Sequence, residues 1–217
     1  MTTTTQFIST ATLSLLICLS SPVGMAQEKR EFFDDFQGQT LSPAFRVLNP
    51  DRQRMALTQD EFLLLVSHKD KKNVIEYNGL LPENYVVTIR LAGTPSERQQ
   101  GVQIRIGDAS NNVRVGVYVD YYKSLYQFTN KTLDNEDAKE ISIRDDGLLG
   151  EPLYLKFTKT DVEFEGASSP DGVQWSSLGK QVLIDPSAKV NFEVYGWGDA
   201  PESPIKIDSF EIVDITN

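Results

Sequence analysis

The stretch Phe164-Glu165-Gly166-Ala167-Ser168-Ser169-Pro170-Asp171-Gly172-Val173-Gln174-Trp175 joins a strand end, an Asp-Gly turn and a tryptophan. Asp171-Gly172 suits a turn that needs positive φ, because glycine has no Cβ to clash there. Trp175 follows at the distance at which a large apolar ring can cover the end of a sheet. An apolar-polar alternation runs into this turn, with Phe164 flanked by Glu163 and Glu165. The turn and tryptophan therefore predict a chain built of strands.

Outward from there, period-two alternation dominates and no stretch sustains a period of 3.6. Val102, Ile104 and Ile106 alternate with Gln103 and Arg105; Val113, Val115, Val117 and Val119 alternate with Arg114, Gly116, Tyr118 and Asp120. Gly107 to Asn112 between them carries Gly, Asp and Asn residues that tolerate the left-handed backbone of a hairpin loop. Further strands are predicted at 62–67, 86–91, 124–129, 140–143, 153–158, 161–165, 190–195 and 205–215, with turn signals at Asn78-Gly79, Gly93-Thr94-Pro95, Asp145-Asp146-Gly147 and Asp185-Pro186. Many short strands with turns at this spacing predict an all-β fold, an antiparallel sandwich or barrel. Pairing Phe32 to Phe36 with Phe210 to Ile215 would join the two ends of the domain and close a sheet edge.

Three segments in order, Asp34-Asp35-Phe36, then Ser169-x-Asp171-Gly172-x-x-Trp175, then Asp208-x-Phe210-x-Ile212, resemble the concanavalin A-like lectin/glucanase superfamily. The likeness is to the non-catalytic sandwich modules found beside glycosidases, and it spans nearly all the chain after the leader. It implies a two-sheet antiparallel jelly roll. It also implies a structural calcium near the paired termini, where Asp34, Asp35 and Asp208 match by place; a calcium site needs six to eight converging oxygens, and no EF-hand-like spacing occurs. A catalytic relative would carry Glu-x-Asp-x-x-Glu on one strand, with nucleophile and acid on the same face. That segment is absent, and the nearest imitation, Asp161, Glu163 and Glu165, reads as a solvated acidic face with Val162 and Phe164 on the other side. His68 is the sole histidine, so triads and zinc sites that depend on histidine lack their parts.

Residues 1–26 carry no charged side chain and hold an apolar run from Ala11 through Leu19, followed by Ser21-Pro22 and Gly24-Met25-Ala26. This pattern predicts a secretory signal peptide cleaved after Ala26, and hence a secreted or periplasmic protein. The run is roughly half the ~20 residues of a membrane-spanning helix, so no span is expected in the mature protein. The single cysteine, Cys18, lies in this leader behind bulky Ile17, so the domain at 27–217 must rely on its core rather than on disulfides. About 190 residues suit one such domain. With a formal net charge of −10 and no basic cluster beyond Lys69-Asp70-Lys71-Lys72, nucleic acid is not an expected partner.

If the valines and isoleucines point inward, their neighbours point outward: Gln103, Arg105, Arg114, Tyr118, Asp120, Tyr122, Glu193, Tyr195 and Trp197. Stacking aromatics beside Gln, Asp and Arg suit the apolar faces and polar rims of sugar rings. The glycines on either side of Trp197, Gly196 and Gly198, allow a ligand close to the backbone. Outward tyrosines also pair with one another across strands, and alternation does not say which strands share a sheet. The expectation is an exported, non-catalytic, lectin-like module whose partner is a polysaccharide or glycan. A polysaccharide hydrolase or lyase on the same sandwich, and a structural or protein-interaction module of the cell envelope, stay open as alternatives.

Overall fold

The computed structural model describes residues 29–216 apart from 72, 109, 122, 133–134, 145–146, 148 and 185–188. The predicted leader, Tyr122 and the turn signals at Asp145-Asp146 and Asp185-Pro186 lie outside the described residues. The strands run β1 (Lys29–Asp34), β2 (Phe45–Leu48), β3 (Met55–Leu57), β4 (Leu63–Val66), β5 (Val74–Tyr77), β6 (Tyr85–Leu91), β7 (Gln100–Gly107) and β8 (Asn112–Asp120). They continue as β9 (Lys123–Thr132), β10 (Asn135–Arg144), β11 (Leu153–Thr160), β12 (Glu163–Ser169), β13 (Ser176–Val182), β14 (Val190–Gly196) and β15 (Pro204–Asp214). Two antiparallel sheets result, one ordered β13-β12-β11-β6-β15-β4-β3 with β1 added beside β15, the other β10-β9-β8-β7-β14-β5-β2. The all-β, two-sheet antiparallel sandwich expected from the sequence is the observed fold.

Alternation sets the layers. Along β6 every second residue is buried, and the inward set Val87, Ile89 and Leu91 shares one core with Leu155 and Phe157 of β11 and Phe164 of β12. From the other sheet come Val102, Ile104, Ile106, Val113, Val115, Val117, Phe192 and Val194, all at most 1 % exposed. Each such side chain contributes about 1.5–3 kcal/mol by leaving water. Phe210 of the last strand meets Phe45 and Phe192 of the opposite sheet at ring-centroid distances of 5.4 Å each, so aromatic packing ties the two layers together. The terminal strands pair as expected, with Phe32 opposite Ile212 and Asp34 opposite Phe210.

The segment that carries the Asp171-Gly172 turn ends β12 at Ser169, and Gly172 takes φ 74°. The Ser169 hydroxyl donates to Asp171 Oδ1 (2.9 Å), and that carboxylate accepts the backbone N–H groups of Val173 (2.8 Å) and Gln174 (2.9 Å). Trp175 covers the outer face of the eight-stranded sheet, with Lys156 Nζ 3.8 Å above its ring and Tyr154 edge-on at 6.4 Å. The imagined acidic face is corrected: Asp161 sits in a turn at φ 52° and Val162 is 48 % exposed, so only Glu163 and Glu165 share the outer side of β12. There Lys180 meets Glu163 at 2.6 Å.

Candidate functional site

The outer face of the seven-stranded sheet gathers Gln103, Arg105, Arg114, Tyr118, Glu193 and Tyr195, with Trp197 just past its β14. Register places them in rows that cross β14, β7, β8 and β9. One row runs Tyr195, Gly101, Tyr118 and Leu125; the next runs Glu193, Gln103, Gly116 and Gln127; the third runs Asn191, Arg105, Arg114 and Thr129. Beyond Asn191 the third row continues to Glu76 on β5 and Arg46 on β2.

The first row makes the pocket. Trp197, just past β14, stacks with Tyr195 (centroids 5.9 Å, interplanar angle 29°) and meets Tyr118 edge-on at 5.8 Å. Gly101 lets the Tyr195 ring lie flat on β7, since a Cβ there would fall inside that ring. Tyr118, Tyr195, Trp197 and Gln127 line a pocket of about 190 Å³, and the Tyr195 hydroxyl donates to Gln127 Oε1 at 3.4 Å. Gln127 was not anticipated, although the alternation of Tyr126 and Phe128 already set it on the outer face. The Trp197 loop is held by backbone: Trp197 N–H donates to the Gln99 carbonyl (3.1 Å), Asp199 N–H to Gln99 Oε1 (3.0 Å), and Gly198 takes φ 57°.

In the second and third rows the outward residues turn out to be packed against one another. Gln103 and Glu193 are only 4 % and 1 % exposed, and Gln103 Nε2 donates to Glu193 Oε1 at 2.6 Å. Arg105 Nε donates to Asn191 Oδ1 (2.9 Å) and Arg114 Nε to Asn112 Oδ1 (2.8 Å). Burial, and next the charge of Arg105, pull the Arg114 guanidinium below its ordinary pKa, while Glu193 and Tyr195 oppose the shift. Glu76 is engaged by Arg46 (2.5 Å) and more loosely by Lys189 (3.8 Å). Asp120 lies at the exposed end of β8 opposite Lys123, outside the pocket.

Of the three acids matched to calcium, Asp35 and Asp208 line one pocket with Asp60, Glu61 and Glu211, and Asp34 stands opposite Phe210 at its strand pair. Asp208 pairs with Arg90 at 2.7 Å, Asp34 Oδ1 accepts Phe36 N–H at 2.7 Å, and Asp35 Oδ1 accepts Gln37 N–H at 3.4 Å. Burial raises the Asp34 carboxyl above its usual range, and the Phe36 N–H opposes this. Among the described residues no group of three or more His, Cys, Asp or Glu side chains converges as a metal site, and no helix is long and apolar enough to cross a membrane.

No protein-family model and no curated protein matches the sequence. Solved structures do match. The GH43 BlXynB protein from Bacillus licheniformis aligns over 83 % of this chain and 39 % of its own, at 16 % identity and a TM-score of 0.69. The CBM2 module of the evolved Dit of Lactobacillus casei BL23 phage J-1 aligns over 88 % of this chain and 98 % of its own, at 8 % identity and a TM-score of 0.62. A beta-1,3-glucanase from Mycobacterium marinum aligns over 84 % and 98 %, at 14 % identity and a TM-score of 0.61. The chain thus spans well under half the length of the GH43 protein and nearly all of the other two. At these identities what is shared is the fold: a two-sheet antiparallel sandwich of the jelly-roll type.

Proposed function

We propose that this chain is an exported, non-catalytic carbohydrate-binding module, and that the pocket of Tyr118, Gln127, Tyr195 and Trp197 receives a sugar ring. One observation carries the reading: aromatic side chains from two strands and a following loop converge on one pocket, with an amide at its wall. Such rings offer flat apolar area to a sugar's C–H face, and the Gln127 amide and the tyrosine hydroxyls supply donors and acceptors for its rim. The glycosidase and glucanase names among proteins of like fold support a glycan as the partner.

The carboxylates on this face support binding over hydrolysis. Glu193 is 1 % exposed against Gln103, and Glu76 is buried on β5 under Arg46, so neither carboxylate is presented to a ring in the aromatic pocket. The test is a polysaccharide and glycan-array screen with the full chain and with Trp197→Ala. Retention by at least one glycan, lost in the variant at unchanged melting temperature, is expected. Turnover of a purified polysaccharide would move the assignment to a hydrolase or lyase, and silence toward every glycan would leave the envelope-module alternative.

A further inference from the structure

We propose that the glycan taken by this face is anionic, a polysaccharide bearing carboxylates, with Arg105 and Arg114 as the residues that read its charge. The inference rests on the glycan-binding reading of the aromatic pocket and adds the chemical class of the ligand.

The two arginines stand directly opposite one another on β7 and β8. Like charges in that relation destabilise a sheet. Each is steadied through Nε by a neutral amide, Asn191 for Arg105 and Asn112 for Arg114, and among the described residues neither forms an ion pair. Elsewhere in this acidic chain arginines take carboxylates: Arg30 meets Glu211, Arg54 meets Asp51 and Glu202, and Arg90 meets Asp208. An Nε-only anchor holds the guanidinium in place and leaves its outer N–H groups for another partner. Carboxylates match that planar fork in two-point fashion.

Position links the pair to the pocket. Arg114 lies four residues before Tyr118 on the same strand and face, ~13 Å away at the usual strand rise. An oligosaccharide with one ring against Trp197 and Tyr195 can reach that far along β8, whereas a single sugar cannot. Arg46 lies at the far end of the same row and Lys189 just before β14, and both reach Glu76. On this face Arg46, Arg105, Arg114 and Lys189 stand near Glu76 and Glu193, on a protein whose formal charge is −10. Burial makes Arg114 harder to keep charged, so the positive site is held at some cost to the free protein.

The experiment compares, by calorimetric titration of the full chain, polygalacturonate oligomers with the same oligomers after their carboxyl groups have been reduced to alcohols. At least tenfold weaker binding after reduction is expected, with the difference shrinking as salt is raised. Arg105→Gln and Arg114→Gln should bring the acidic oligomer down to the level of the reduced one. Dextran sulfate against dextran separates carboxylate from sulfate: binding of the sulfated polymer alone overturns the carboxylate assignment. Equal binding of acidic and reduced oligomers, still lost in Trp197→Ala, overturns the charge proposal while keeping the glycan site. No binding of any polymer overturns both.

Discussion

Gly101 sits beneath the Tyr195 ring, and this one missing Cβ shapes the pocket. Gly101→Ala would push the ring off the sheet; because the obstacle is the end of a side chain, the fold should survive and ligand binding should fall sharply, checked by titration beside a melting curve. Gly116→Ala differs, since its Cβ would meet the Val102 carbonyl at 2.6 Å and strain the backbone, so a marked fall in melting temperature is expected there. Asp171 gives a pH prediction. Backbone N–H groups of Gln174 and Val173 hold its carboxyl below the usual carboxylate range, so its stabilisation is present above the ordinary pKa and fades as pH falls through the lowered one. Asp171→Asn keeps the acceptor and removes the charge; its melting temperature should lie below the parent's at neutral pH and converge with it in acid. At this scale the sequence disclosed which face Gln103, Glu193, Tyr118 and Tyr195 occupy, because alternation dictates it. It did not disclose that Gln103 and Glu193 bury each other, because a cross-strand partner depends on register.

Among the elements, strands with clean alternation were legible, the short β4 included, and strands without it were not. β7, β8, β11 and β14 came through from their periodicity. β5 did not, because Val74-Ile75-Glu76-Tyr77 is buried on both faces and shows no alternation. β13 was hidden for another reason: the pairing with β12 shifts register at Gly166/Ala167, and Gly179 takes φ 124°, which breaks the period in Ser176–Val182. β15 was legible and carries much of the architecture, pairing with β1, β4 and β6. Its Phe210, fully buried among rings of both layers, should cost about 3–5 kcal/mol when replaced by alanine, measured by denaturant unfolding.

Over the whole molecule, local hydrogen bonds to carboxylates set how stability depends on pH. Asp51, Asp108, Asp171, Glu202 and Asp214 are all held below the usual carboxylate range by hydrogen bonds, with Asp34 raised by burial. The lowered groups stabilise above their ordinary pKa and lose that contribution on acidification, and they outnumber the one of opposite sign. Stability should therefore decline as pH drops through the carboxylate range, read as a falling melting temperature between pH ~5 and ~3. Glycan binding in the aromatic pocket of the seven-stranded sheet is tested by titrating a retained polysaccharide into the full chain and into Trp197→Ala. Measurable affinity in the first and a loss of about 2 kcal/mol, roughly 30-fold, in the second are expected; undiminished affinity in a folded Trp197→Ala would contradict a glycan site there.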